Sequence, residues 1–242
     1  MEDLKNFSQE ISFSDSDFCN DRLMPFAVLK KFQDIATSHA EKLGIGFDAM
    51  SQKNLLWITM RIKFKVLDKI VPNTTLTIYT YPQQKNVLEF DRDFVIVDKI
   101  NGKRLIIGTS KWCLIDKTTR RLSKMTNIDY PFEFNNSPVF EGKFLKTESF
   151  EPTEKPVLNY QVEESDIDSN GHMNNTIYSK LIMSALSNNF NQIDIFQINF
   201  LGEALLGDTI EVFTKTENGN TLTLGKFPNG KHCFTAFVSF QN

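Results

Sequence analysis

The chain runs twice through one order of elements, and that internal repeat limits the folds open to it. Residues 11–18 have the character of a short strand. Pro25 then suits the first turn of a helix, where Leu29, Phe32, Ala36, His39, Ala40 and Leu43 recur at helical spacing before a stop at Gly44. Beyond it the period falls to two. Ile58, Met60, Ile62, Phe64 and Val66 alternate with Thr59, Arg61, Lys63 and Lys65. Leu76, Ile78 and Thr80 predict the next strand, and Leu88, Phe90, Arg92, Phe94 and Ile96 a third. Residues 105–115 read as the strand returning from a hairpin turn at Asn101-Gly102. The second half repeats the order. A short strand over 160–162 precedes a helix that Asn174 or Asn175 can cap, carrying Ile177, Tyr178, Leu181, Ile182 and Ala185. Strands are expected over 194–200, 209–215, 221–225 and 231–240, with turns at Gly219 and Asn229-Gly230.

A displacement of 149 positions places Ser16-Asp17-Phe18 on Ser165-Asp166-Ile167 and Met24 on Met173. Cys19, Asp21 and Leu23 then fall on Asp168, Asn170 and His172. The frame is shared, and the polar constellation belongs to the second copy alone. One long helix followed by long antiparallel strands, twice, predicts an α+β double hotdog, each half a long helix wrapped by an antiparallel β-sheet. Between the copies Pro131, Pro138 and Pro152 punctuate an aperiodic stretch. The expected domains are residues 1–130, a linker over 131–155, and a second domain over 156–242 that carries the polar motif.

Composition narrows the function. The 242 residues are enough for two cores. No apolar run reaches the ~18 residues a membrane span needs, and Met1-Glu2-Asp3-Leu4-Lys5 lacks the basic-then-apolar order of a signal peptide. The expectation is a cytoplasmic protein without a membrane span. A net charge of −3 argues against nucleic acid as a partner. Cys19, Cys113 and Cys233 are far apart and form no CxxC pair, against a disulfide framework or zinc site. Cys113 and Cys233 lie in apolar strand-like stretches and read as inert core thiols. Phe is over-represented, 22 against five Tyr and two Trp, which suits a sheet core and equally a greasy tunnel.

The segment that bears chemistry is Asp168-Ser169-Asn170-Gly171-His172-Met173-Asn174-Asn175. It puts a carboxylate, a carboxamide and an imidazole at alternate positions just before a helix start, where one face can gather them. The helix N-terminus behind them offers free N–H groups to a developing oxyanion. By spacing alone the same residues fit a polar capping loop. A metal centre fits less well, because one His with Asp and Asn lacks the repeated nitrogen or sulfur ligands of zinc.

With Tyr178 following, this segment resembles the Asp-x-Asn-x-His-x-Asn-Asn-x-x-Tyr signature of the acyl-carrier-protein thioesterases of plants and bacteria, a double-hotdog family. Leu43-Gly44-Ile45-Gly46 after His39-Ala40-Glu41 is similar to that family's first-helix ending. So is Trp112-Cys113-Leu114-Ile115-Asp116, with Thr119-Arg120-Arg121 after it. The resemblance implies hydrolysis of a fatty acyl thioester, acyl carrier protein as partner, and neither metal nor redox cofactor. It also implies a further acid, Glu203, whose neighbour Ala204 stands where plant members often carry Cys. Water must therefore be the nucleophile. Asp168, Asn170, His172 and Glu203 form the implied site, with His172 positioned by Asp168. Taken without the resemblance, Glu203 reads as a solvated residue at a strand end. Two alternatives stand beside hydrolysis, a hotdog dehydratase-like enzyme and a non-catalytic acyl-thioester-binding protein. A homodimer is left open.

Overall fold

The structure is a computed structural model that describes residues 6–83, 86–128, 137–140, 144–145, 150–152, 155–186 and 192–241. The chain divides into two compact units, Met1–Ser16 with Lys30–Lys143, and Asp17–Leu29 with Phe144–Asn242. In chain order the first half gives strand β1 (Phe7–Ile11), the two-residue strands β2 (Phe18–Cys19) and β3 (Arg22–Leu23), and helices α1 (Pro25–Lys42) and α2 (Phe47–Gln52). Strands β4 (Leu55–Val66), β5 (Leu76–Pro82), β6 (Phe90–Asp98), β7 (Arg104–Asp116) and β8 (Leu122–Ser123) come next. The second half gives β9 (Leu158–Gln161), helix α3 (Asn175–Ala185), and strands β10 (Ile193–Phe200), β11 (Thr209–Glu217), β12 (Asn220–Lys226) and β13 (His232–Phe240). Among the described residues no helix is long and apolar enough to cross a membrane.

The first unit's strands run antiparallel in the order β1-β5-β6-β7-β4, with β8 also on β7. Helix α1 begins at Pro25 and ends in a Schellman motif. Gly44, at φ +70°, donates its N–H to Glu41 O, and Ile45 donates to Ala40 O. The helix meets the sheet through one row of side chains, Phe94, Gly108 and Phe64, which face each other across β6, β7 and β4. The Phe32 ring stacks on Phe94 at 4.2 Å and meets Phe64 edge-on at 6.4 Å. Gly108 makes room for this packing, since a Cβ there would stand 2.4 Å from the Phe32 ring.

The second unit's strands also run antiparallel, in the order β10-β13-β12-β11-β9. Asn218 and Gly219, at φ +50° and +76°, form the two-residue turn from β11 to β12. Asn174 caps α3, its side-chain oxygen accepting the Thr176 N–H at 2.9 Å. Tyr178, Leu181 and Ile182 turn that helix's apolar face inward, and all are buried.

Several expectations are corrected. The first strand lies earlier, at Phe7–Ile11, and Asp15–Asp17 form a 3₁₀ turn. Short polar side chains there favour a turn, with Asp15 Oδ2 accepting from Asn73 Nδ2 at 3.0 Å. Helix α2 was not expected. Its entry is satisfied by the Glu41 carboxylate, which accepts the Phe47 N–H at 2.9 Å. The alternation along β4 breaks at Met60, the extra residue of a bulge between Thr59 and Arg61. Before the bulge Leu55 and Thr59 are buried, and after it Ile62, Phe64 and Val66 are. Leu88 lies outside the third strand and is exposed. At Asn101-Gly102 only Gly102 has positive φ, because Asp98 Oδ1 takes the N–H groups of Ile100 and Asn101 and shapes a longer loop. Much of the expected linker lies outside the described residues.

Gly108→Ala is expected to lower stability by roughly 1–3 kcal/mol through overpacking against Phe32. Urea unfolding with an unchanged m-value checks it.

Candidate functional site

The local backbone explains why the two copies differ. In the first copy Asp17 O accepts the Met24 N–H at 2.9 Å, closing a small hairpin in which Cys19 pairs with Arg22. Its turn holds two residues, Asn20 and Asp21, both at positive φ. In the second copy Asp166 O accepts the Asn174 N–H at 2.8 Å, and Asp168 donates to His172 O at 2.9 Å. That loop holds three residues, Ser169, Asn170 and Gly171, with Gly171 at φ +80° and bonded back to Asp168 O. This is the three-residue hairpin in which a tight turn is followed by a left-handed glycine.

The copies therefore match at a displacement of 149 up to Asp168, and one position more beyond Gly171. Leu23, not Met24, is the counterpart of Met173, and both are buried. Arg22, not Leu23, is the counterpart of His172. One extra residue separates the copy that carries the imidazole from the copy that does not.

The second partner comes from the irregular segment after β10. Leu201 and Gly202 both donate their N–H groups to Cys233 O, at 2.9 and 3.0 Å. Two residues on, Ala204 O accepts the Met173 N–H at 2.8 Å. That bond joins the residue after His172 to the residue after Glu203. The outcome is a close pair, His172 Nε2 to Glu203 Oε2 at 3.3 Å, with side chains 27% and 40% exposed. The neighbouring Ala204 is fully buried. Asp208 closes the segment, its carboxylate accepting the Leu205 N–H at 2.8 Å.

The structure brings His172 and Glu203 together. It does not bring the Asp168 carboxylate onto the imidazole. Asp168 Oδ1 instead accepts the Asn170 N–H at 2.8 Å and holds the loop from within. Asn170 is exposed at the loop's tip. The helix N-terminus is partly taken up, since Asn174 Oδ1 accepts from both the N–H and the hydroxyl of Thr176.

Two contacts carry no sequence expectation. The Cys233 carbonyl anchors the Glu203 segment, and backbone carbonyls have no signature in a sequence. The Tyr178 hydroxyl lies between Gly202 and Ala204. Its place at the end of the Asp168–Tyr178 motif was the signal open to sequence reasoning. Cys233 itself matches its reading as an inert thiol. It is fully buried, and burial pushes it up to about 12. Cys113 is likewise pushed up by burial, to about 11.

A helix packed on an antiparallel sheet in each copy, with a carboxylate–imidazole pair in the second, defines a double hotdog with one candidate site. The acyl-ACP thioesterase N-terminal domain model matches residues 5–129, and the acyl-ACP thioesterase C-terminal domain model residues 150–228. The chain belongs to the acyl-ACP thioesterase family. It is 23% identical over 212 residues to the chloroplastic oleoyl-acyl carrier protein thioesterase 2 of Arabidopsis thaliana, covering 78% of this chain and 56% of that protein. It is 27% identical over 193 residues to the chloroplastic palmitoyl-acyl carrier protein thioesterase of Gossypium hirsutum, covering 74% of this chain and 46% of that one. The chain thus spans about half the length of these curated relatives. Two solved structures share the fold. One is the 12:0-ACP thioesterase of Umbellularia californica, with TM-score 0.86, 20% identity, and 100% and 98% of the two chains covered. The other is an acyl-ACP thioesterase of Bacteroides thetaiotaomicron, with TM-score 0.81, 20% identity and both chains fully covered.

Around Gly171 nothing lies within 4 Å of an added Cβ, so the cost of a side chain there is conformational and not steric. Gly171→Ala is expected to cost about 1–2 kcal/mol for its left-handed φ. Urea unfolding checks this.

Proposed function

We propose that this protein hydrolyses the thioester between a fatty acyl chain and the phosphopantetheine of acyl carrier protein, releasing free fatty acid and carrier-protein thiol. The observation that carries this reading is the 3.3 Å contact between His172 and Glu203 in a member of this family. A carboxylate beside an imidazole, both partly open to solvent, suits activation of a water molecule.

In the proposed reaction Glu203 takes a proton from water, and the water oxygen attacks the thioester carbonyl carbon. The carbonyl electron pair moves to oxygen, where the Asn170 carboxamide and nearby backbone N–H groups stabilise the charge. As the intermediate collapses the carbon–sulfur bond breaks. The proton held by Glu203 passes through His172 to the departing sulfur, and the carboxylate is restored. Asp168 serves by fixing the loop that presents Asn170 and His172. No metal or redox group is needed for any step. Ala204 offers no thiol, which favours direct attack by water over a covalent acyl-enzyme.

The test is incubation with acyl carrier proteins loaded with acyl chains of different length. Free acid is expected, with turnover lowered at least about tenfold in both Glu203→Gln and His172→Ala. An enoyl product in place of free acid means a dehydratase-like enzyme. Binding without turnover on every chain length means an acyl-thioester-binding protein.

A further inference from the structure

The Tyr178 hydroxyl touches both peptide groups that flank Glu203. It donates to Gly202 O at 3.4 Å and accepts the Ala204 N–H at 3.3 Å. The side chain is 2% exposed. Phe200 and Phe234 meet its ring edge-on, with centroids 5.5 and 5.6 Å away. Burial pushes the phenol far above its ordinary value, so the hydroxyl keeps the proton it donates.

This placement bears on the direction of one side chain. Glu203 stands on an irregular segment with no ladder of its own, and its side chain is 40% exposed. The direction of its Cα–Cβ bond depends on the two peptide planes around it. Tyr178 reaches both planes from α3, the helix that comes directly after the His172 loop. The next peptide groups out are held as well, Leu201 and Gly202 N–H donating to Cys233 O and Ala204 O accepting from Met173 N–H. The Tyr178 hydroxyl spans both planes.

We infer that Tyr178 is a positioning residue for Glu203, its hydroxyl clamping the 202–204 backbone so that the carboxylate meets His172. The effect on turnover rests on the hydrolase reading; the effect on geometry does not. A core aromatic that merely fills space would be replaced by Phe without consequence for the pair.

Tyr178→Phe keeps the ring and removes the clamp. The expected result is a kcat lowered about tenfold or more, with KM changed less than about twofold. In a Glu203→Ala background the same change should cost nothing further, because no carboxylate is left to position. An unchanged kcat, or losses that multiply in the double variant, overturns the proposal. A second readout needs no substrate. At one fixed pH, the imidazole NMR resonances of His172 should move in Tyr178→Phe in the direction they move in Glu203→Ala. Resonances that stay at their wild-type positions overturn the proposal whatever the protein acts on. If the wild type releases no fatty acid and the resonances do move, the hydrolase reading fails and the clamp stands. Should Tyr178→Phe not fold, 3-fluorotyrosine at position 178 weakens the hydroxyl as an acceptor while keeping it, and the same comparison applies.

Discussion

The backbone bond from Met173 N–H to Ala204 O is the constraint on which the site depends. A side-chain contact as exposed as His172–Glu203 contributes at most about 1 kcal/mol in water. Fixing the backbone of even one loop residue costs about 1–2 kcal/mol. The pair therefore cannot hold its own geometry. The order runs the other way: backbone bonds to Cys233 O and from Met173 fix the two segments, and the side chains meet because their neighbours are already joined. Preorganisation of this kind lets a weak surface pair act as a defined chemical group.

Duplication supplied the frame, and one extra residue altered it. Both copies close the entry to their helix with a bond to an aspartate carbonyl, Asp17 in one and Asp166 in the other. The first copy turns on two residues with positive φ, Asn20 and Asp21. The second turns on three, ending at Gly171. The longer turn leaves the pairing on either side in step, so the position that holds Arg22 in one copy holds His172 in the other. The same logic accounts for Asp168. In a longer loop its carboxylate is drawn into the turn and bonds the Asn170 N–H, away from the imidazole.

Much of the fold was legible in the sequence where a period or a cap carried it. Leu29, Phe32 and Ala36 announce α1, and Asn174 announces α3. The strand faces of β5 are set by Leu76, Ile78 and Thr80. The bulge at Met60 was not legible, because its residues keep alternating in sequence after the backbone has slipped a position. Gly108 carries no sign that a Phe32 ring will lie over it. For the site, Asp168, Asn170 and His172 lie within one short segment and were found together. Glu203 was reached only through family resemblance, since its approach depends on a main-chain carbonyl of Cys233 that no side-chain pattern encodes. The match at Met24 and Met173 misled by one position, because an insertion inside a four-residue window cannot be seen without the hydrogen bonds on either side.

The most direct measurement is a loop transplant. Ser169-Asn170-Gly171 is replaced by the Asn20-Asp21 dipeptide of the first copy, and unfolding and thioester hydrolysis are measured on the same preparation. The expected product is a protein that still unfolds cooperatively and releases fatty acid from acyl carrier protein at least about a hundredfold more slowly, and more slowly than Asn170→Ala, because the tighter turn draws the Met173 N–H off Ala204 O and so displaces the imidazole from Glu203. A folded variant that hydrolyses at the wild-type rate would contradict the dependence of the pair on this loop.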